Sequence, residues 1–157
     1  MPRAFERPYL DSSVYISAIV GEAVEPGKSD TSAQILELGR SGQFQVIAST
    51  LVYAEVIKDR GRDPLDPDQE TLIDQYLSQD FITWVEADLP LAKKARSLAR
   101  FQGLKPVDAI HVASAMRAKC DQFLTWDEKD FTDGTEIEGL AIHRPHLTEL
   151  PTRIPGT

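Results

Sequence analysis

The chain of 157 residues has a single cysteine, Cys120, and no hydrophobic run that approaches the roughly 18 residues of a membrane-spanning helix. One cysteine excludes an internal disulfide framework. The N-terminal residues also lack the apolar core of a secretory signal peptide. Together these absences predict a cytoplasmic protein that does not contact a membrane.

Basic residues are also scarce, because 17 lysines and arginines stand against 25 aspartates and glutamates and give a formal net charge of −8. Nucleic-acid-binding proteins usually have a basic balance, since neutralisation of phosphate groups drives their binding. The acidity therefore lowers the expectation of a nucleic-acid partner. It does not exclude one, because a local basic face can still hold phosphate and a bound metal would cancel clustered carboxylates.

What the chain does have is an alternation of short apolar runs and helical segments. The runs are rich in β-branched and aromatic residues and predict strands at residues 8–11, 44–48, 81–85, 122–126 and 140–143. Such alternation predicts an α/β fold with helices on both faces of a central, mainly parallel sheet of four to five strands. We expect one domain over residues 1–147 and an irregular tail over residues 148–157.

Four acidic residues interrupt apolar stretches beside these predicted elements. Asp11 and Asp127 end two strands, Glu55 lies in a helix predicted over residues 50–58, and Asp108 lies in the first turn of an apolar helix. Each acid alone is explained by a helix start, a turn or a solvated surface. Since sites in parallel sheets form at the carboxyl ends of strands, the four acids could converge. Clustered carboxylates require a cation, and oxygen ligands favour Mg²⁺ or Mn²⁺.

Four segments resemble, in order and spacing, the four motifs of PIN-domain ribonucleases. They are Leu-Asp-Ser-Ser at 10–13, Ser-Thr-Leu-Val-Tyr-Ala-Glu at 49–55, Val-Asp-Ala-Ile-His-Val-Ala-Ser-Ala at 107–115 and Leu-Thr-Trp-Asp at 124–127. The resemblance is greatest to the VapC-type toxins of bacterial and archaeal toxin–antitoxin pairs and covers residues 8–143. Two departures are a longer loop at residues 21–30 and a tail beyond residue 147, and neither includes a motif acid.

The resemblance implies a three-layer α/β/α fold and a Mg²⁺- or Mn²⁺-dependent endoribonuclease. It assigns catalysis and metal binding to Asp11, Glu55, Asp108 and Asp127. It also assigns supporting roles to three neighbours: Thr125 as a hydroxyl that supports the last acid, Ser12 beside Asp11, and Asp130 as an additional outer acid.

The resemblance further implies an RNA substrate (tRNA, rRNA or mRNA), a cognate antitoxin that blocks the acidic site, and a homodimer. RNA phosphates could be held by one basic helix face, which comprises Lys93, Lys94, Arg96 and Arg100, or by a second basic group, which comprises Lys58, Arg60 and Arg62. An ordinary solvated helix face explains the first group equally well.

Other interpretations remain open from the sequence alone. A catalytically silent PIN module that acts by binding a partner protein has the same motifs. A haloacid-dehalogenase-like phosphatase needs a second aspartate where Ser13 stands, and a receiver domain needs one at the end of the third strand, where Glu86 and Asp88 match poorly. We expect His111, one helical turn beyond Asp108, to be a packed or Asp-bonded side chain and not a general base.

Overall fold

The computed structural model describes residues 7–58, 63–78 and 80–147. Its strands are β1 (Pro8–Leu10), β2 (Val46–Ser49), β3 (Ile82–Val85), β4 (Gln122–Leu124), β5 (Glu136–Ile137) and β6 (Leu140–His143). Its helices are α1 (Ser12–Val20), α2 (Ser29–Arg40), α3 (Leu51–Glu55), α4 (Pro67–Leu77), α5 (Leu89–Gln102) and α6 (Pro106–Arg117). Arg60, Arg62 and the expected tail at 148–157 lie outside the described residues.

The strands form one sheet in the order β3-β2-β1-β4-β6-β5. All neighbouring pairs are parallel except β5 and β6, which are antiparallel. The predicted α/β fold class is confirmed, but the sheet has six strands where four to five were expected. The additional strand, β5, has only two residues, which is too short for an alternating apolar pattern to reveal it.

Side chains of the central strands alternate between two cores on opposite faces of the sheet. Leu10 and Leu124 pack in one core with residues of α1, α2 and α4. Tyr9 and Phe123 pack in the other core with residues of α5 and α6. Because neighbouring residues of a strand point to opposite faces, each short buried strand contributes to both cores. The molecule therefore has the three α/β/α layers that the resemblance implies.

The junction between α5 and α6 fixes the position of the Asp108 helix. Helix α5 ends at Gly103, whose left-handed φ of 73° suits glycine, and only two residues then precede α6. Pro106 begins α6, where its missing N–H costs no helical hydrogen bond. The two helices pack against each other, and Asp108 lies in the first turn of α6.

Helix α3 is shorter than the sequence predicted. It spans five residues and ends at Glu55, whereas the apolar pattern favoured a helix to about residue 58. Val56 leaves the helical conformation with a ψ of 72°. Glu55 is therefore the last helical residue and not an internal one. Within the described residues, no helix is long and apolar enough to cross a membrane.

Candidate active site

Asp11 lies between β1 and α1, where three neighbours fix its carboxylate. The backbone N–H of Ser12 donates to Oδ1 at 2.8 Å, and the hydroxyl groups of Thr125 and Ser13 donate to Oδ2 at 2.8 and 3.2 Å. Ser12 therefore contacts Asp11, as expected. Asp11 is only 8% exposed, and these hydrogen bonds fix the orientation of its carboxylate at the carboxyl end of β1.

The hydroxyl of Thr125 contacts both acids that follow strand ends, Asp11 through its carboxylate and Asp127 through its backbone. Its hydroxyl donates to the carboxylate of Asp11 and accepts the backbone N–H of Asp127 at 3.0 Å, and it does not bond the Asp127 carboxylate. The reason is the sheet order, because β4 lies directly beside β1 and brings Thr125 against the end of that strand. The hydroxyl links the two acid-bearing strand ends.

Asp127 follows β4 in a turn that its own side chain stabilises. Its Oδ1 accepts the backbone N–H groups of Lys129 and Asp130 at 2.9 and 3.1 Å. The turn brings the Asp130 carboxylate back towards the strand end. Asp130 also forms an ion pair with Lys105, with 3.2 Å between Oδ2 and Nζ.

Asp108 completes a group of three carboxylates. One oxygen each of Asp108, Asp127 and Asp130 lies within 4.8 Å of the other two. Partial burial and, after it, the negative charges of Asp11, Asp130 and Asp127 together raise the pKa of Asp108 to about 6. Such crowding disfavours full ionisation unless a cation is bound.

Glu55 lies on the β2 side of the site and contacts His111. The distance from Oε1 of Glu55 to Nε2 of His111 is 2.5 Å, and Nδ1 of His111 lies 2.5 Å from the hydroxyl oxygen of Tyr9. Burial lowers the pKa of His111, but the hydrogen bond to Glu55 and the charges of Asp11, Glu55 and Asp108 raise it above its usual value. His111 is buried and packed, in agreement with the expectation.

The four acids that the sequence singled out line one open pocket of about 560 Å³. Ser12, Ser13, Trp126 and two lysines, Lys28 and Lys129, also line it. The structure therefore brings Asp11, Glu55, Asp108 and Asp127 together, with Asp130 beside them. Their roles in metal binding and catalysis stay predictions.

The four basic residues of α5 lie away from this pocket. Lys93, Lys94, Arg96 and Arg100 are not among its lining residues, and Lys94 instead forms an ion pair with Glu138. The positive charge at the pocket comes from Lys28, whose Nζ lies 5.5 Å from the centre of the Trp126 ring, and from Lys129. That these basic residues of α5 contact RNA stays a prediction.

Besides Lys28 and Lys129, two other residues at the site, Ser13 and Arg144, were not singled out from the sequence. Ser13 donates to Asp11 and accepts the backbone N–H of Trp126 at 3.0 Å, so it joins α1 to the end of β4. The repeated serine after Asp11 was the available signal. Arg144 donates to the backbone carbonyls of Thr125, at 2.9 Å, and Phe131, and so it brackets the turn that carries Asp127. No sequence pattern pointed to Arg144.

The donor set fits a hard divalent cation. Every candidate ligand is a carboxylate oxygen, and Mg²⁺ and Mn²⁺ prefer oxygen ligands. Asp11 and Asp127 already accept hydrogen bonds that fix their orientation, as supporting groups do in metal sites. The open pocket leaves room for solvent and a substrate group.

A scan of family profiles matches the PIN domain over residues 9–135. A search of curated protein sequences found no match. Among solved structures, the chain is similar to a toxin–antitoxin complex from Klebsiella pneumoniae, with a TM-score of 0.61, 19% identity, and 88% of this chain and 98% of that chain covered.

Two further solved structures share the fold. VapBC2 from Rickettsia felis, bound to a DNA fragment from its promoter, gives a TM-score of 0.60 at 15% identity, with 88% of this chain and 98% of that chain covered. The Mycobacterium tuberculosis VapC20 toxin, which cleaves the sarcin–ricin loop, gives 0.59 at 16% identity, with 78% and 91% covered. The profile match, which extends over most of the chain, and the shared fold show that this chain belongs to the PIN domain family.

Proposed function

We propose that the chain is a Mg²⁺- or Mn²⁺-dependent endoribonuclease that hydrolyses RNA phosphodiester bonds. The observation that carries the proposal is the group of three carboxylates, Asp108, Asp127 and Asp130. Two of them, Asp108 and Asp127, line the same pocket as Asp11 and Glu55. Membership of the PIN domain family supports the same conclusion.

Asp11, Asp108 and Asp127 would hold the metal ion most directly, with Asp130 as an additional acid. A divalent ion supplies Lewis acidity there and offsets the negative charge that develops on the phosphate during hydrolysis. The chain contributes the fixed orientation of the ligands, since Ser12, Ser13 and Thr125 hold Asp11 through hydrogen bonds.

Glu55 would orient the attacking water and accept its proton. The carboxylate reaches the pocket from the β2 side, whereas Asp127 and Asp130 reach it from the end of β4. Like Asp11, Glu55 is outside the three-carboxylate group. Asp11 is joined to Asp127 through the hydroxyl of Thr125, whereas Glu55 approaches from the opposite side, which suits a base better than a ligand of the same ion. A carboxylate that accepts a proton during reaction must lie within hydrogen-bonding reach of the attacking water.

The RNA backbone would enter past Lys28 and Lys129, the two lysines of the pocket. In an acidic protein, cations next to the site matter more than the overall charge, because nearby phosphates are screened from distant charges. Lys28 lies over the face of Trp126, which keeps its ammonium group at the pocket. The basic residues of α5 would contact the RNA only at nucleotides farther from the cleavage site.

We also propose that the chain is the toxin of a toxin–antitoxin pair. The solved structures that share its fold include a toxin–antitoxin complex and a VapBC pair on promoter DNA. A cognate antitoxin would cover the acidic pocket and inhibit cleavage. The toxin itself would act as a homodimer in the cytoplasm on tRNA, rRNA or mRNA.

The test is cleavage of a panel of structured RNAs by the purified chain. We expect endonucleolytic products with Mg²⁺ or Mn²⁺ and none with a chelator. Asp11→Asn and Asp108→Asn should each lower the rate at least about a hundredfold, since both remove charge from the metal-binding group. Asp88→Asn, which changes an exposed acid paired with Arg117 outside the pocket, is the matched control and should retain full activity.

Equal cleavage by Asp108→Asn and the unchanged chain would contradict the proposal, because a contaminating nuclease would then account for the products. If the unchanged chain cleaves no RNA under any condition but still binds a partner protein, the result would instead favour the silent partner-binding module.

A further inference from the structure

A chain of hydrogen bonds runs from the backbone of β2 through the interior to the carboxylate of Glu55. The N–H of Ser49 donates to the hydroxyl oxygen of Tyr9 at 3.0 Å, and this oxygen lies 2.5 Å from Nδ1 of His111. Nε2 of His111 lies 2.5 Å from Oε1 of Glu55. We call Ser49, Tyr9, His111 and Glu55 the buried polar chain.

The first three members are shielded from solvent. Ser49 and Tyr9 have no exposed surface, and His111 is 1% exposed. Tyr9 also stacks on Phe123, with ring centres 5.1 Å apart and planes 5° from parallel, so packing fixes its ring as well. Buried polar groups of this kind are costly unless each is hydrogen bonded, and here each of them is.

The direction of every hydrogen bond follows from the donors present. The oxygen of Tyr9 already accepts the N–H of Ser49, so its own proton is left for Nδ1 of His111. Nδ1 must then accept, which places the proton of the neutral ring on Nε2, facing Glu55. The other neutral tautomer would leave a buried hydroxyl proton without an acceptor and turn a lone pair towards a carboxylate.

Glu55 has little other support for its orientation. It ends a helix of five residues, and its side chain is 32% exposed. In the parts of the chain that the structure describes, His111 is the one hydrogen-bond partner of this carboxylate. A glutamate side chain without a fixed partner samples several rotamers, so the contact with His111 decides where the carboxylate lies.

We propose that Tyr9 and His111 are positioning residues that hold the Glu55 carboxylate by one oxygen and leave the other for the pocket. His111 lies one helical turn beyond Asp108, so α6 supplies one acid of the site directly and orients a second through the histidine. The use of Glu55 as a base rests on the proposed function. The buried polar chain itself does not.

The first experiment reads the tautomer of His111 directly by long-range ¹H–¹⁵N correlation spectra of the full chain. The chain has three histidines, and His111→Gln identifies the signal of interest by its loss. At mildly alkaline pH we expect a neutral ring with its proton on Nε2. Tyr9→Phe removes the donor to Nδ1 and should shift the ¹⁵N signal of Nδ1, while the proton stays on Nε2, which still faces Glu55.

A ring with its proton on Nδ1, a doubly protonated ring, or a spectrum unchanged in Tyr9→Phe would overturn the assignment. None of these results depends on RNA cleavage. The spectra therefore test the inference even where the proposed nuclease activity is not found.

The second experiment is a double-mutant cycle on RNA cleavage. His111→Gln keeps an N–H near the position of Nε2, whereas His111→Asn reaches only the position of Nδ1. We expect His111→Asn to lower kcat about a hundredfold with KM unchanged, in the range of a lost general base, and His111→Gln to restore most of this loss. In the Glu55→Gln background, His111→Asn should cause no further loss.

Independent, additive losses from His111→Asn and Glu55→Gln would overturn the proposal, as would equal losses from His111→Asn and His111→Gln. Circular dichroism and Tm of both histidine variants exclude unfolding as the cause. Absence of cleavage by the unchanged chain would count against the proposed function alone, and the tautomer would still decide the inference.

Discussion

At the scale of single residues, Asp108 lies where ionisation is unfavourable. Partial burial and the neighbouring acids raise its pKa to about 6, well above the value of an aspartate in an unfolded chain. The folded state thus binds more protons than the unfolded state between about pH 4 and pH 6. In the absence of metal, this group contributes stability at low pH that is lost as the pH rises through 6.

We therefore predict that Asp108→Asn stabilises the metal-free protein at neutral pH. The group is half-exposed and partly screened, so we expect a gain of about 1 kcal/mol, or about 2–4 °C in Tm. The gain should shrink towards zero near pH 4. Thermal unfolding in a chelator across this pH range measures it.

Asp88→Asn is the control for this prediction, and its expected effect on stability at neutral pH is opposite in sign. Hydrogen bonds from Arg117 and from the backbone of Leu91 lower the pKa of Asp88, so its ionisation favours the folded state above its unfolded pKa. Asp88→Asn should therefore lower Tm at neutral pH and lose that effect in acid. An Asp108→Asn variant that is less stable than the unchanged chain at neutral pH would refute the prediction.

The residue scale also shows the limit of sequence reasoning. The positions of Asp11 and Asp127 at strand ends were predictable, because apolar runs stop at both. The hydroxyl of Thr125 on Asp11 was not, since 114 residues separate the two and only the strand order brings them together. The bond from His111 to Glu55 was hidden for the same reason.

At the scale of elements, α2 packs on β2 without room for a side chain at one position. A Cβ atom on Gly39 would lie 2.4 Å from Cγ2 of Val46 and 3.2 Å from Cε2 of Phe44, both of which are buried. Val46 is β-branched and cannot easily turn away. The glycine is therefore required by close helix–strand approach and not by its φ angle.

We predict that Gly39→Ala destabilises the protein, although alanine is the better helix former. Overpacking lowers the free energy of unfolding by about 1–3 kcal/mol, whereas the higher helix propensity of alanine raises it by about 1 kcal/mol. Urea unfolding should show the net loss. Val46→Ala in the Gly39→Ala background should recover part of it, because it removes the clashing methyl group, whereas an additive second loss would contradict a steric cause.

Elements differed from prediction where they were short. Helix α3 stops at Glu55 and β5 has two residues, and in both cases tertiary contacts, not an apolar period, decide the structure. Helix α4, by contrast, begins at a signal that is local in the sequence, since Asp66 and Gln69 form a reciprocal capping box at its start.

At the scale of the whole molecule, the acidic pocket leads us to expect that stability depends on divalent cations. A ligand that binds only the folded state stabilises it by about 2.7 kcal/mol at a hundred times its Kd. We predict that Mn²⁺ at such an excess raises Tm by about 5–10 °C. Differential scanning calorimetry measures the shift.

The shift should vanish in Asp108→Asn and persist in Asp88→Asn, which leaves the pocket intact. Equal shifts in both variants would indicate general screening of the net charge of −8 and no site at the pocket.

The order of the sheet has a consequence for synthesis of the chain. β1 lies between β2 and β4, and Asp127 follows β4, so the pocket needs residues from both early and late parts of the sequence. A nascent chain that has not yet emerged past Asp127 has one edge of β1 unpaired and lacks two of its clustered acids. The pocket is therefore completed only late in synthesis, after β4 and the turn that follows it have been made.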